Sequence, residues 1–141
     1  MSINQVCLPE NYSPLFFIDL HERFPATFIV AEDDGRLGGY VMCRIETGFS
    51  SLSRTRLTKK GHVVSIAVLP EHRRKGLGSQ LVTKALKAME VYKATECFLE
   101  VRVSNHQAVS MYKQLGFTEI RVKRRYYADG EDAYMMAKKL Q

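Results

Sequence analysis

The feature that most constrains the fold is a strand that runs into a glycine-bearing helix start. His62–Val68 (HVVSIAV) is almost continuously apolar, the pattern of a β-strand buried on both faces. Pro70 ends it, and Arg73-Arg74-Lys75-Gly76-Leu77-Gly78 leads into a long segment. There Leu77, Leu81, Val82, Ala85, Met89 and Tyr92 recur close to the period of an amphipathic helix. A further strand pattern follows at Glu96–Arg102 (ECFLEVR). Strand, helix and strand in that order form a βαβ unit, and a chain built around one is α/β.

Hairpins flank the unit. Ser13-Pro14 opens a short helix through Leu15, Phe16, Ile18 and Leu20, which stops before Pro25. Thr27–Glu32 and Leu37–Glu46 read as two strands joined at Asp33-Asp34-Gly35. Thr47–Gly61, rich in Ser, Lys and Arg and without periodicity, reads as a loop. Beyond Glu96–Arg102, Ser104 or Asn105 caps a helix carrying Ala108, Met111, Tyr112 and Leu115, with Gly116 just past its end. Thr118–Tyr127 and Asp132–Lys138 close the chain as strands around Ala128-Asp129-Gly130. The expected architecture is a mixed, mostly antiparallel sheet with flanking helices, in a single domain over residues 1–141.

Composition narrows the partners. The chain carries a net charge of +6, which favours an anionic partner such as nucleic acid, a membrane surface or a phosphorylated small molecule. The cations cluster at Arg54–Lys60, at His72–Lys75 and at Arg121–Arg125. No apolar run approaches the roughly 20 residues that span a bilayer, and Met1–Glu10 has no leader-like pattern. Cys7, Cys43 and Cys97 are odd in number and widely spaced, and no histidine joins them at zinc spacing. We therefore expect no disulfide, no metal and a reducing, cytoplasmic setting.

The basic, glycine-containing strand-to-helix junction carries the chemistry. Glycines let a backbone approach a ligand closely, and the unsatisfied amides of a first helical turn favour an anion. Arg73, Arg74 and Lys75 add charge, so a pyrophosphate fits better than other common anions. A solvated basic loop is the plainer alternative. The segment is neither GxGxxG nor GxxxxGK[ST], which weakens dinucleotide and P-loop readings.

Arg73–Gly78 matches the (Q/R)xxGx(G/A) acetyl-CoA signature of the GNAT acetyltransferase superfamily. The segments CLPENY (Cys7–Tyr12), GHVVSIAV (Gly61–Val68) and YYADGEDAY (Tyr126–Tyr134) resemble the catalytic subunits of archaeal and eukaryotic protein N-terminal acetyltransferases. Leu99-Glu100-Val101-Arg102 followed by Ser104-Asn105 is similar to bacterial ribosomal-protein alanine acetyltransferases.

The resemblance implies a GNAT fold in which His62–Val68 and Glu96–Arg102 splay apart around the pantetheine arm of acetyl-CoA. Backbone groups of Ile66, Ala67 and Val68 would pair with that arm. Arg74, Lys75, Gly76, Leu77, Gly78 and Ser79 would hold the pyrophosphate with Arg73 close by, and Asn105 would seat the cofactor. It also implies transfer to the free α-amine of nascent or mature protein N-termini (Ser, Ala, Thr and Met starts), with transient ribosome contact. The alternatives are a lysine side chain or small amine as acceptor, or a basic RNA-binding module without catalysis.

Acetyl transfer needs a neutral amine, and therefore a base. Glu100 sits in an apolar strand, where a purely structural carboxylate is costly, and resembles the general base of the alanine acetyltransferases, with a solvated-face carboxylate as the rival reading. Glu10 in LPENY would line the amine pocket with Leu8 and Tyr12, and with His62 and Glu100 it is one of three candidate bases that the sequence does not rank. His62, at the start of the central strand, is suited to proton shuttling. Tyr112 resembles the tyrosine that protonates the departing thiolate, with a core tyrosine as the rival reading. Tyr126 and Tyr127 would wall the peptide slot, with cross-strand packing as theirs. His21, His72, His106 and the cysteines receive no role. Family members begin with a strand before the first helix, whereas only Met1–Val6 precedes CLPENY. The reading therefore expects the usual first edge strand to be missing and Thr27–Glu32 to be an exposed edge.

Overall fold

The computed structural model describes residues 28–33, 36–53, 55–68 and 76–140. Among them, β1 (Phe28–Asp33), β2 (Arg36–Phe49), β3 (Leu57–Val68), β4 (Glu96–Arg102), β5 (Thr118–Lys123) and β6 (Ala133–Lys139) form one sheet in the order β1-β2-β3-β4-β6-β5. Helices α1 (Leu77–Val91) and α2 (His106–Gln114) precede and follow β4. Every neighbouring pair is antiparallel except β3 and β4. The expected leading helix and the question of a missing first strand lie outside the described residues.

Side-chain alternation divides the sheet into two faces. Cys97, Leu99 and Val101 of β4 join Leu81, Val82, Ala85 and Met89 of α1 and Val109 and Tyr112 of α2 in the main core. The alternate residue Phe98 packs on the opposite face with Met135 and Ala137. Of the expected α1 stripe, Leu81, Val82, Ala85 and Met89 are buried, while Leu77 and Tyr92 are half-buried and Tyr92 caps the helix end. Gly61 lets that helix come close, because a Cβ there would lie 2.2 Å from the Met89 sulfur.

The strand pair at the centre parts partway along. The β3–β4 ladder runs from Lys60↔Glu96 to Val63↔Leu99 and stops, while β3 continues to Val68 and β4 to Arg102. At the point of divergence Val64 is the inserted residue of a β-bulge, since Met42 and Cys43 of β2 oppose Ser65 and Val63. A bulge bends its strand, and this one swings the end of β3 away from β4. It also resets the alternation, so that Val63, Ile66 and Val68 all reach the same core.

One stretch differs from the sequence reading. Most of the expected loop at Thr47–Gly61 is strand, with Thr47↔Lys59 and Phe49↔Leu57 paired across β2 and β3. A buried polar network holds it. Glu96 accepts hydrogen bonds from the Ser50 hydroxyl and from the Ser51 amide at 2.8 Å. The Lys60 ammonium donates to the Phe49 carbonyl at 2.9 Å and to the Ser51 hydroxyl at 3.2 Å. β5 is also shorter than expected, and Tyr126 and Tyr127 stand in the turn beyond it.

Candidate functional site

Where β3 and β4 begin to part, they set His62 and Phe98 side by side in register. The imidazole stacks on the Phe98 ring, with centroids 4.3 Å apart and planes 6° from parallel. That fixes the ring plane and directs Nε2 at Glu100, two residues along β4, at 2.7 Å from Oε1. The second oxygen of Glu100 accepts from the Lys123 ammonium on β5 at 2.8 Å. The carboxylate is 5% exposed and the imidazole 12%. Burial alone would push the Glu100 carboxyl up, but the His62 and Lys123 hydrogen bonds and charges outweigh it and hold the group at about 2. An ionised carboxylate only accepts, so the proton in the His62–Glu100 bond sits on Nε2. The other ring nitrogen, Nδ1, is buried without a hydrogen-bond partner among the described residues.

A rigid turn stands beside this pair. The Arg102 guanidinium binds Asp129 at 2.8 Å and Glu131 at 2.9 Å, and lies 4.0 Å from the centroid of the Tyr127 ring. Glu131 also accepts from the Ser104 amide at 2.9 Å, and Asp132 from the Arg125 amide at 2.9 Å. These bonds hold Tyr126 and Tyr127 edge to face with centroids 5.0 Å apart. Lys123 ties the two groups together, since its ammonium lies 5.4 Å from the Tyr126 ring centroid.

In the sequence α1 begins nine residues after the end of β3. Gly76 caps this helix at φ 77°, and the first turn holds no acidic residue and no side-chain cap. Its amides are the ones a helix leaves without internal acceptors. A Cβ on Gly76 would meet nothing within 4 Å among the described residues. On the other side of the gap Asn105 is spent as the cap of α2, accepting from the Ala108 amide at 3.2 Å.

Two of the three expected proton acceptors, His62 and Glu100, are therefore in direct contact. Glu10, Leu8 and Tyr12 lie outside the described residues, as do Arg73, Arg74 and Lys75. Tyr112 is buried in the main core on the helix-covered face, edge to face with Phe117 at 5.7 Å, and burial pushes its phenol up. Ile66, Ala67 and Val68 line β3 beyond the last β4 register pair, and Gly76–Ser79 form the helix start. Cys43 and Cys97 are buried thiols, and burial pushes Cys43 up to about 12. Sequence reasoning missed Phe98, Lys123 and the Arg102 clamp. The acidic residues of ADGED and the cations before it were the available signal for the last two.

The model of the acetyltransferase (GNAT) family matches residues 1–117. The chain is 56% identical over 139 residues to an N-alpha-acetyltransferase of Sulfurisphaera tokodaii, covering 97% of this chain and 83% of that protein. Among solved structures it resembles Chaetomium thermophilum Naa20 in complex with a bisubstrate analogue, at TM-score 0.84 and 31% identity, covering 99% of this chain and 82% of that one. It also resembles a chain of the NatB acetyltransferase complex bound to CoA and MES, at TM-score 0.80 and 27% identity, over 98% and 89%.

Proposed function

Since the chain belongs to the GNAT acetyltransferase family, we propose that it transfers the acetyl group of acetyl-CoA to the free α-amine of protein N-termini. The observation that carries this reading is the His62–Glu100 pair, buried where the strands part, with Nδ1 unpartnered among the described residues and a pinned tyrosine turn linked to the pair through Lys123. A protein α-amine has a pKa of about 7.7–8.0, so at neutral pH most of it arrives protonated. His62 takes that proton at Nδ1, directly or through a water, while Glu100 accepts from Nε2–H and orients the ring. Held at about 2, Glu100 is a weak base but a fixed anion that stabilises the imidazolium formed. Glu10, with Leu8 and Tyr12, completes the amine pocket, and Tyr126 and Tyr127 wall the slot so that a chain end enters.

Acetyl-CoA supplies the activated acyl group. The glycine start of α1 at Gly76, with Leu77, Gly78 and Ser79 behind it, suits its pyrophosphate, and Arg73, Arg74 and Lys75 add charge to that site. Ile66, Ala67 and Val68 offer main-chain groups to the pantetheine arm, and Asn105 borders it. Tyr112, its phenol kept protonated by burial, donates to the departing thiolate. The reaction would run in the cytoplasm, and the cations of Arg121–Arg125 suit a transient contact with the ribosome.

The test is acetyl-CoA turnover on peptides with Ser, Ala, Thr, Met-Leu and Met-Glu starts, beside an N-blocked peptide carrying an internal lysine. Ser- and Ala-starting peptides should turn over and the blocked one should not. Comparable turnover of the blocked peptide would replace this reading with lysine acetylation.

A further inference from the structure

Glu100 divides its two oxygens between His62 at 2.7 Å and Lys123 at 2.8 Å. We propose that Lys123 is a positioning residue for the reaction, which compensates the charge of Glu100 so that the His62 imidazole stays neutral and keeps its lone pair at Nδ1. The role rests on the acetyl-transfer reading, because only a base at Nδ1 gives that lone pair work to do.

The argument is electrostatic. A buried carboxylate needs a counter-charge, and two groups at contact distance can supply it, the ammonium and the imidazolium. Because Lys123 already supplies it, the carboxylate gains less from protonating His62. The buried, partnerless Nδ1 works in the same direction, since as an N–H it would be a buried donor without an acceptor. Among the described residues, the other charged groups facing this side of the sheet do not replace Lys123. Arg44, the register partner of His62 on β2, is exposed and paired with Glu46 at 3.2 Å. Arg102 on β4 is committed to Asp129 and Glu131. Lys60 on β3 bonds the Phe49 carbonyl and stands 4.6 Å from the centre of the Phe98 ring. As a cation near the imidazole's stacking partner, it too disfavours a second positive charge there.

Lys123 is 28% exposed at the end of β5, a site where substitution leaves the core intact. Three variants separate its charge from its hydrogen bond: Lys123→Met removes both, Lys123→Gln keeps a donor without charge, and Lys123→Arg keeps both. The acid limb of kcat/KM against pH should move up by about one unit in the Met and Gln variants and stay in the Arg variant. The imidazole resonances of His62 should titrate at correspondingly higher pH in the same two, whether or not any peptide is acetylated. That readout separates a failure of this proposal from a failure of the acetyl-transfer reading. In the Glu100→Gln background, Lys123→Met should move the limb by less, because only the direct repulsion between the two cations is then removed. A uniform loss of kcat without a moved limb, or a Gln variant matching wild type, would overturn the charge role. The wild-type protein supplies a check that needs no variant: nitrogen shifts of His62 at pH 7 should show Nε2 protonated and Nδ1 bare, and an imidazolium there would also overturn it.

Discussion

Glu100 is the residue on which the site's geometry and the fold's stability meet. Its carboxyl is held at about 2 against an ordinary value of 4.5. A carboxyl lower in the folded than in the unfolded state stabilises the fold above the unfolded value, and that stabilisation drains away as pH falls from about 4.5 to about 2. The shift corresponds to on the order of 3 kcal/mol. Glu100→Gln, which keeps the shape and loses the charge, should therefore be less stable than wild type at pH 7 by up to that amount. The two proteins should converge near pH 2. Urea unfolding of both across this range checks it, and parallel stability curves would contradict it. The same residue was legible in the sequence, because a lone carboxylate in an apolar strand demands a reason. Lys123 was not, since its contact crosses β6 and depends on the register of three strands. Phe98 gave no signal, because a ring that orients a histidine looks like any core aromatic in a strand.

At the scale of elements, what the sequence showed and what it concealed divide by the kind of burial. The apolar run His62–Val68 and the centre of the α1 stripe are legible by their side chains, and both form where they were read, β3 also extending back to Leu57. The extension of the β2–β3 hairpin to Phe49 and Leu57 was hidden because polar residues hold it: Ser50, Ser51, Lys60 and Glu96 are buried through hydrogen bonds rather than apolar area. The bulge at Val64 left no mark either, since one inserted apolar residue in an apolar run changes no pattern. The packing of α1 against β3 offers a sharp test. In Gly61→Ala the new methyl would overlap Met89, which is fully buried and has little room to yield. We expect a loss of about 1–3 kcal/mol. Met89→Ala opens a cavity of its own and costs about 2–5 kcal/mol by itself. The double variant should be clearly more stable than the sum of the two losses, because each change relieves the other. Strict additivity in thermal or denaturant unfolding would show that α1 does not press on Gly61.

Across the whole molecule, the sheet is two halves fastened at one end. β1-β2-β3 and β4-β6-β5 share the short ladder from Lys60↔Glu96 to Val63↔Leu99. The closed end is reinforced by the Thr95 amide donating to the Lys59 carbonyl at 2.9 Å and by the Glu96 network. The other end is open, and the His62–Glu100 bond straddles the place where it opens. A ligand lodged between the free ends of β3 and β4, with its phosphates on the start of α1, would act as a second fastening. Such a ligand stabilises by mass action, about 2.7 kcal/mol at a concentration 100 times its Kd. The stabilisation should also be local. With CoA present, hydrogen exchange should slow at Ile66–Val68 and in the first turn of α1. It should be unchanged at Lys59–Gly61, where the halves are already joined. Gly76→Glu makes the control, since among the described residues its side chain meets nothing and the core is untouched. A non-glycine residue at φ 77° costs on the order of 1 kcal/mol, so the variant should fold. Its carboxylate would then occupy the anion's place, and both the protection and the rise in Tm should vanish. Protection spread evenly over both halves, or retained in Gly76→Glu, would mean that CoA does not bind in the gap.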